Sequence, residues 1–399
     1  MAPHKFASLV IGIMAAVWSG QANAQVRLSE EEAILDGIDK ATLLSLRVGG
    51  RTAPAPVSFS LRLGKANASE NRERGFVFTP VIHQWPGIYA EARFKGSHLY
   101  AAFDDAVNQY RLWIDDQEQP LLSKPGKTVL KYDHLGDGEH RVRLEKISES
   151  QKAVGAFRGF FVPEADAALP PPPRRIRQIE FIGDSDMVAY GANSTRRDGC
   201  TDEEIWATTD TSRGYVTRVA KHYDADYQVN AYSGLGVVRN WNGEKRDLNL
   251  STLYPRTLFE DVTPWKRDGW SPQVIIIAIG GNDFSTDLHS AEKWRDKAAL
   301  RADWTDKFVR FVTDIRAQNP MAHIVLGTYS AYDADYLAAN DAAFDRLSAR
   351  DKRLSRILYP KTENTACNYH HSQNDYALLS RLVIAHLDGL ADVWAQGEP

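Results

Sequence analysis

Four consecutive prolines, Pro170 to Pro173, sit where the rhythm of the chain changes, and no other feature restricts its fold as strongly. Proline has a fixed φ and no N–H, so such a run enters neither a sheet nor a helix interior and forms a stiff extended spacer. Before it, from about Val57 to Val162, short apolar and aromatic runs at 58–63, 88–94, 98–103, 110–114, 128–132, 140–147 and 157–162 are separated by turn residues. Tyr110-Arg111-Leu112-Trp113-Ile114 alternates as a half-buried strand does, and Gly136-Asp137-Gly138 marks a tight turn. This spacing predicts an antiparallel sandwich over 30–168.

After the prolines, which form a linker over 169–175, strands and helices alternate. Ile179-Glu180-Phe181-Ile182 is a short apolar strand, and 214–223 places Tyr215, Val216, Val219, Ala220 and Tyr223 on one helical face. A strand returns at 227–231. The continuous apolar run at 274–279 suits a parallel strand covered on both faces. A helix at 305–318 stops before Pro320, a strand follows at 323–327, and a last helix at 373–394 carries Leu378, Leu379, Leu382, Val383, Ala385, Leu387 and Leu390. The fold class is therefore α/β, a doubly wound parallel sheet over 176–395 preceded by a β-sandwich, with ligands expected at the carboxyl ends of the strands.

The 399 residues suffice for two domains with separate cores. Lys and Arg total 48 against 52 Asp and Glu, so the formal charge of −4 offers no basic field for nucleic acid, and a neutral substrate fits better. His4 and Lys5, the apolar run at 9–18 and Ala22-Asn23-Ala24 read as a cleaved export signal over 1–24. That run is shorter than the roughly 20 residues that span a bilayer, and no later segment is apolar enough, so no membrane association is expected after cleavage. The protein is expected to be secreted or periplasmic. Two cysteines, Cys200 and Cys367, are then candidates for one disulfide, the other reading being two buried thiols.

Four polar elements carry the chemistry. Gly183-Asp184-Ser185 ends the first strand of the second domain, where a sharp turn would raise a hydroxyl able to attack a carbonyl once a base takes its proton. Ser233-Gly234-Leu235-Gly236 follows the next strand, and either glycine can bring a backbone N–H close to a ligand. In Gly280-Gly281-Asn282-Asp283 the Asn282 amide can donate to an oxyanion, an interaction worth roughly 3 kcal/mol of barrier. Cys367-Asn368-Tyr369-His370-His371-Ser372 supplies an imidazole for general base and acid work. Each alone is an ordinary turn; in this order, each at a strand end, they point to one site. The adjacent histidines lack accompanying carboxylates or thiolates at ligand spacing, so no metal or other cofactor is expected. Asp184 and Asp283 are read as holding their loops through backbone N–H groups.

These four elements resemble the conserved blocks of the SGNH (GDSL) hydrolases. The longer stretches 179–185, 228–236, 280–285 and 366–370 are similar to carbohydrate esterase family 2, in which a β jelly-roll domain precedes the SGNH domain; His140-Arg141-Val142-Arg143-Leu144-Glu145-Lys146 resembles part of that first domain. The resemblance implies deacetylation of xylan, glucomannan or related acetylated polysaccharides and oligosaccharides. It makes Ser185 the nucleophile and a histidine the base, with an oxyanion hole formed by Ser185, Asn282 and Gly234 or Gly236.

The family pattern Cys-Asp-Trp-His-Pro-Ser, laid on residues 367–372, selects His370; a generic Asp-x-x-His pattern selects His371 instead. Asn368 stands where the pattern has aspartate, and a neutral amide cannot stabilise an imidazolium by charge. The resemblance, to a family some of whose members are understood to work with a Ser-His dyad, then implies a ring held by a main-chain carbonyl, that of Tyr369, and Asn368→Ala should lower activity only modestly. Tyr190, Trp241 and Tyr369 are candidate sugar-binding aromatics, although such residues often only pack. Competing readings are a carbohydrate-binding protein without catalysis, a lipase, and a short-chain esterase or acetyltransferase acting on another substrate. The sequence shows no apolar groove or lid for a lipase.

Overall fold

The computed structural model describes residues 24–53 and 80–395. The expected leader, apart from Ala24, and the expected strand at 58–63 lie outside the described residues. The alternating segments of the first half fold into two antiparallel sheets. One runs in the order Ala24–Leu28, Gly126–Asp133, Leu99–Asp105, Gly155–Val162, Val81–His83 and Thr52–Ala53. The other runs Leu122–Ser123, Gln109–Ile114, Glu139–Lys146, Tyr89–Lys95 and Arg47–Gly49. Phe94, Leu99, Phe103, Leu112, Leu144, Phe157 and Phe160 fill the space between them. Alternation along each strand turns these side chains to one face, which fixes the register. The domain starts earlier than residue 30, because Ala24–Leu28 pairs along its whole length with Val129–Asp133.

The second half forms a five-stranded parallel sheet. Its strands are β1 (Gln178–Gly183), β2 (Asp226–Ala231), β3 (Val274–Ala278), β4 (His323–Tyr329) and β5 (Leu354–Tyr359), in the order β2-β1-β3-β4-β5. All residues of β3 are buried, which explains its unbroken apolar run. The strand order reverses between β1 and β3, so their carboxyl ends open the crevice where such sheets bind ligands. The helix expected at 305–318 begins earlier, at Lys297, where the Asp296 side chain accepts the Ala299 N–H at 2.7 Å. The last helix, Gln373–Asp388, ends six residues before Trp394, at a Gly389 cap.

The prolines do not hold two independent bodies apart. Trp85, Ile88 and Tyr89 of the first domain are buried in the core of the second, so the cores are not separate. Arg51, 1% exposed, reaches from the first domain to Glu180 on β1 at 3.1 Å. Arg111 binds Asp210 at 2.7 Å, and Lys221 binds Glu145 at 3.0 Å, across the same interface. Arg51, Asp210 and Glu145, nearly fully buried, need such partners, because an unpaired buried charge costs several kcal/mol, on the order of 3 to 5.

Candidate active site

The chain leaves β1 at Gly183, where a Cβ would lie 2.6 Å from the Ala278 carbonyl oxygen and 2.7 Å from Met187 Sδ. Only glycine lets the strand end press so closely on β3 and on the helix that follows. Asp184 caps that short helix, Ser185–Val188, accepting the Asp186 N–H at 3.3 Å. Ser185 is its first residue, so its N–H has no partner within the helix and its hydroxyl faces the crevice at the ends of β1 and β3.

His370 Nε2 lies 2.9 Å from Ser185 Oγ. The other ring nitrogen, Nδ1, lies 3.0 Å from the Cys367 carbonyl oxygen and 3.1 Å from that of Asn368. The carbonyl expected to hold the ring, that of Tyr369, is not the one used, because Asn368 and Tyr369 are both left-handed, at φ 52° and 61°, and fold the 367–369 turn back under the imidazole. Carbonyls only accept, so Nδ1 carries the proton and Nε2 is left basic towards Ser185. Burial pushes the His370 imidazole below its ordinary value of 6.5.

His371, the alternative base, points elsewhere. It is 2% exposed, with Nε2 3.4 Å from Asp186 Oδ1 and Nδ1 3.1 Å from Thr362 Oγ1, and it packs on Tyr329 and Tyr376. Burial alone would raise the Asp186 carboxyl, but the two imidazoles and the Tyr332 hydroxyl, 3.1 Å away, bring it down to about 2. Asp186 therefore serves His371 and makes no hydrogen bond to His370. Burial and the neighbouring Asp186 push Asp184 well above the carboxylate range.

Asn282 lines the same cavity of about 280 Å³ as Ser185 and His370, together with Trp241, Tyr332 and Tyr369. Its amide, expected to donate to an oxyanion, is engaged within the protein: Nδ2 donates to the Leu235 carbonyl at 2.9 Å and to Asp184 Oδ2 at 3.2 Å. The expectation for Gly236 is corrected. Its N–H is committed to Asn240 Oδ1 at 3.0 Å, and its missing Cβ serves packing, since one there would sit 1.9 Å from the Arg239 carbonyl oxygen. That leaves Gly234, at φ +82°, as the donor candidate of this loop. Asp283 accepts the N–H groups of Val237, Val238 and Arg239 at 2.8 to 2.9 Å, joining the two loops, while burial pushes its carboxyl up to about 6.

Tyr190 stacks on His370 with ring centroids 4.3 Å apart, and its hydroxyl accepts from Asn368 Nδ2 at 3.3 Å. It packs behind the His370 ring and, contrary to the expectation of a sugar-binding aromatic, is not among the residues that line the cavity. Trp241 and Tyr369, 50% and 55% exposed, stand on the cavity rim. Cys200 and Cys367 are joined by a disulfide that ties the segment after the nucleophile to the loop of the base. Sequence reasoning did not single out Thr362 or Tyr332, which bind the His371–Asp186 pair from distant loops.

Comparisons with known proteins match both domains. The family model for the N-terminal domain of carbohydrate esterase 2 matches residues 79–172, and that of the GDSL-like lipase/acylhydrolase family matches residues 181–367. An acetylxylan esterase / glucomannan deacetylase of Cellvibrio japonicus is 37% identical over 88% of this chain and 95% of its own length. The solved structure of a carbohydrate esterase, described as having an active site with divergent catalytic and non-catalytic binding functions, superposes with a TM-score of 0.77 at 36% identity, covering 88% of this chain and 100% of its own. A family 2 carbohydrate esterase with a carbohydrate binding domain from Corynascus thermopiles (Myceliophthora fergusii) gives 0.65 at 25% identity, covering 86% and 98%. Matched along both domains, and by a relative of this identity over most of its length, the chain belongs to the family 2 carbohydrate esterases.

Proposed function

We propose that this esterase is exported and removes O-acetyl groups from polysaccharides of the xylan or glucomannan kind through an acyl-enzyme on Ser185. The observation that carries the reading is the 2.9 Å contact between Ser185 Oγ and an imidazole whose other nitrogen is held by main-chain carbonyls.

In this reading His370 Nε2 takes the proton of Ser185 as Oγ attacks the acetyl carbonyl. The N–H groups of Ser185 and Gly234 and the Asn282 amide receive the oxyanion, Asn282 exchanging its longer bond, to Asp184, for this one. The imidazolium then protonates the departing sugar oxygen, which leaves as a hydroxyl, and a water activated by the same ring releases acetate. Carbonyl oxygens at Nδ1 stabilise the imidazolium by dipole where a triad would use a carboxylate. The small cavity suits a short acyl group, and the exposed Trp241 and Tyr369 offer apolar faces to a sugar.

The test is acetate release from acetylated xylan and acetylated glucomannan by the wild type and by Ser185→Ala. Release by the wild type, falling at least about a thousandfold in the variant, is expected. Unchanged release by Ser185→Ala, or none from any acetylated glycan by the wild type, would overturn the proposal.

A further inference from the structure

The first domain reaches the candidate oxyanion loop with two side chains. Glu149 Oε1 accepts the Ser233 N–H at 2.8 Å, and Gln151 Nε2 donates to the Ser233 carbonyl at 2.9 Å. Both main-chain groups of the residue before Gly234 are thus held from outside the domain that bears them. The clamp is itself braced: Gln151 Nε2 also meets Glu149 Oε1 at 3.1 Å, and Lys245 Nζ donates to Gln151 Oε1 and to the Tyr232 hydroxyl, each at 2.8 Å. Gln84 Nε2 holds the Gln151 carbonyl at 3.3 Å.

A peptide group is planar and trans, so the carbonyl of one residue and the N–H of the next point in opposite directions along one rigid plane. Fixing the Ser233 carbonyl therefore fixes the direction of the Gly234 N–H. Gly234 alone could not hold it, since at φ +82° it is a glycine with no side chain to restrain its rotation. We infer that Glu149 and Gln151 are positioning residues for the esterase reaction: the sandwich domain aims the Gly234 N–H at the oxyanion and so completes the active site of the other domain. The same segment supports the nucleophile, because the Ile147 carbonyl accepts the Thr211 N–H at 3.0 Å, and Thr211 Oγ1 donates to the Val188 carbonyl at 2.7 Å.

This inference rests on the reading above, in which the Gly234 N–H meets the oxyanion, and the experiment separates the two. kcat and KM for p-nitrophenyl acetate are measured for Gln151→Met, which keeps length but removes the donor. An interaction made only in the transition state affects kcat, so a fall of about tenfold or more is expected with KM within about twofold. The Ki of methylboronic acid, whose adduct on Ser185 places an oxygen in the same hole, should rise by the same factor. Glu149→Met should cost several-fold, and Glu149→Gln, which restores an acceptor, should recover most of that loss. If Gln151→Met fails to fold, Gln151→Glu is read in its place; it keeps size and the Lys245 contact while turning a carboxylate on the Ser233 carbonyl, and should lose at least as much. Unchanged kcat and Ki in a folded Gln151 variant, with activity still dependent on Ser185, would overturn the clamp and leave the esterase reading standing. Activity independent of Ser185 would overturn both.

Discussion

On one side of Ser185 the base stands on a turn of two left-handed residues, pinned by the Cys200–Cys367 disulfide and by carbonyls of its own loop. On the other side the oxyanion loop hangs from carboxylates: Asp283 gathers three of its N–H groups, and Glu149 takes a fourth from the neighbouring domain. The base side is held by a covalent bridge and main-chain dipoles, whereas the oxyanion side is held by the carboxylates of distant segments. Among the described residues no side-chain acid hydrogen-bonds the His370 ring.

The comparison breaks most visibly at Asp283. Replacing it by alanine leaves three buried N–H groups without an acceptor, at about 1 to 3 kcal/mol each. Asp283→Ala should therefore lower the melting temperature by ten degrees or more and abolish esterase activity, while Asp283→Asn, keeping one acceptor, should be intermediate; a fully active Asp283→Ala would dissolve the contrast.

The pH profile gives a smaller effect. A base must be neutral to accept the serine proton, and burial places the His370 value below 6.5. Activity should hold across neutral pH and fall about tenfold per unit only below that midpoint. An acid limb centred above pH 7 would instead require a carboxylate coupled to the ring. The smallest effect is expected at Asn368, whose side chain contacts only Tyr190 among the site residues. Asn368→Ala should cost about 1 kcal/mol of stability, because alanine tolerates φ 52° poorly, with kcat within about threefold.

Three of the four polar elements were legible because each falls directly after a strand with a clear apolar run, β3 being the clearest case, whereas the fourth was read from its place before the last helix. The choice between adjacent histidines was not decidable from spacing. It depends on the left-handed turn at Asn368 and Tyr369, and non-glycine residues give little sign of that conformation. Gly236 and Asn282 looked like free donors because their acceptors, Asn240 Oδ1, Leu235 O and Asp184, appear only once the loops meet. Glu149 and Gln151 left no local signal at all, lying 84 and 82 residues from the backbone they hold. β5 went unread because Ser355 and Arg356 interrupt its apolar pattern at the sheet edge, and the helix Ala334–Ser348 because its alanines and aspartates form no sharp stripe.

The account turns on which of two neighbouring imidazoles works against the serine, and parallel kinetics of His370→Ala and His371→Gln decide it. Esterase turnover should drop at least about a thousandfold in the first, while the second, which keeps a polar side chain facing Asp186 and Thr362, keeps most of it. The reverse order, with His371→Gln inactive though folded and His370→Ala active, would contradict the dyad.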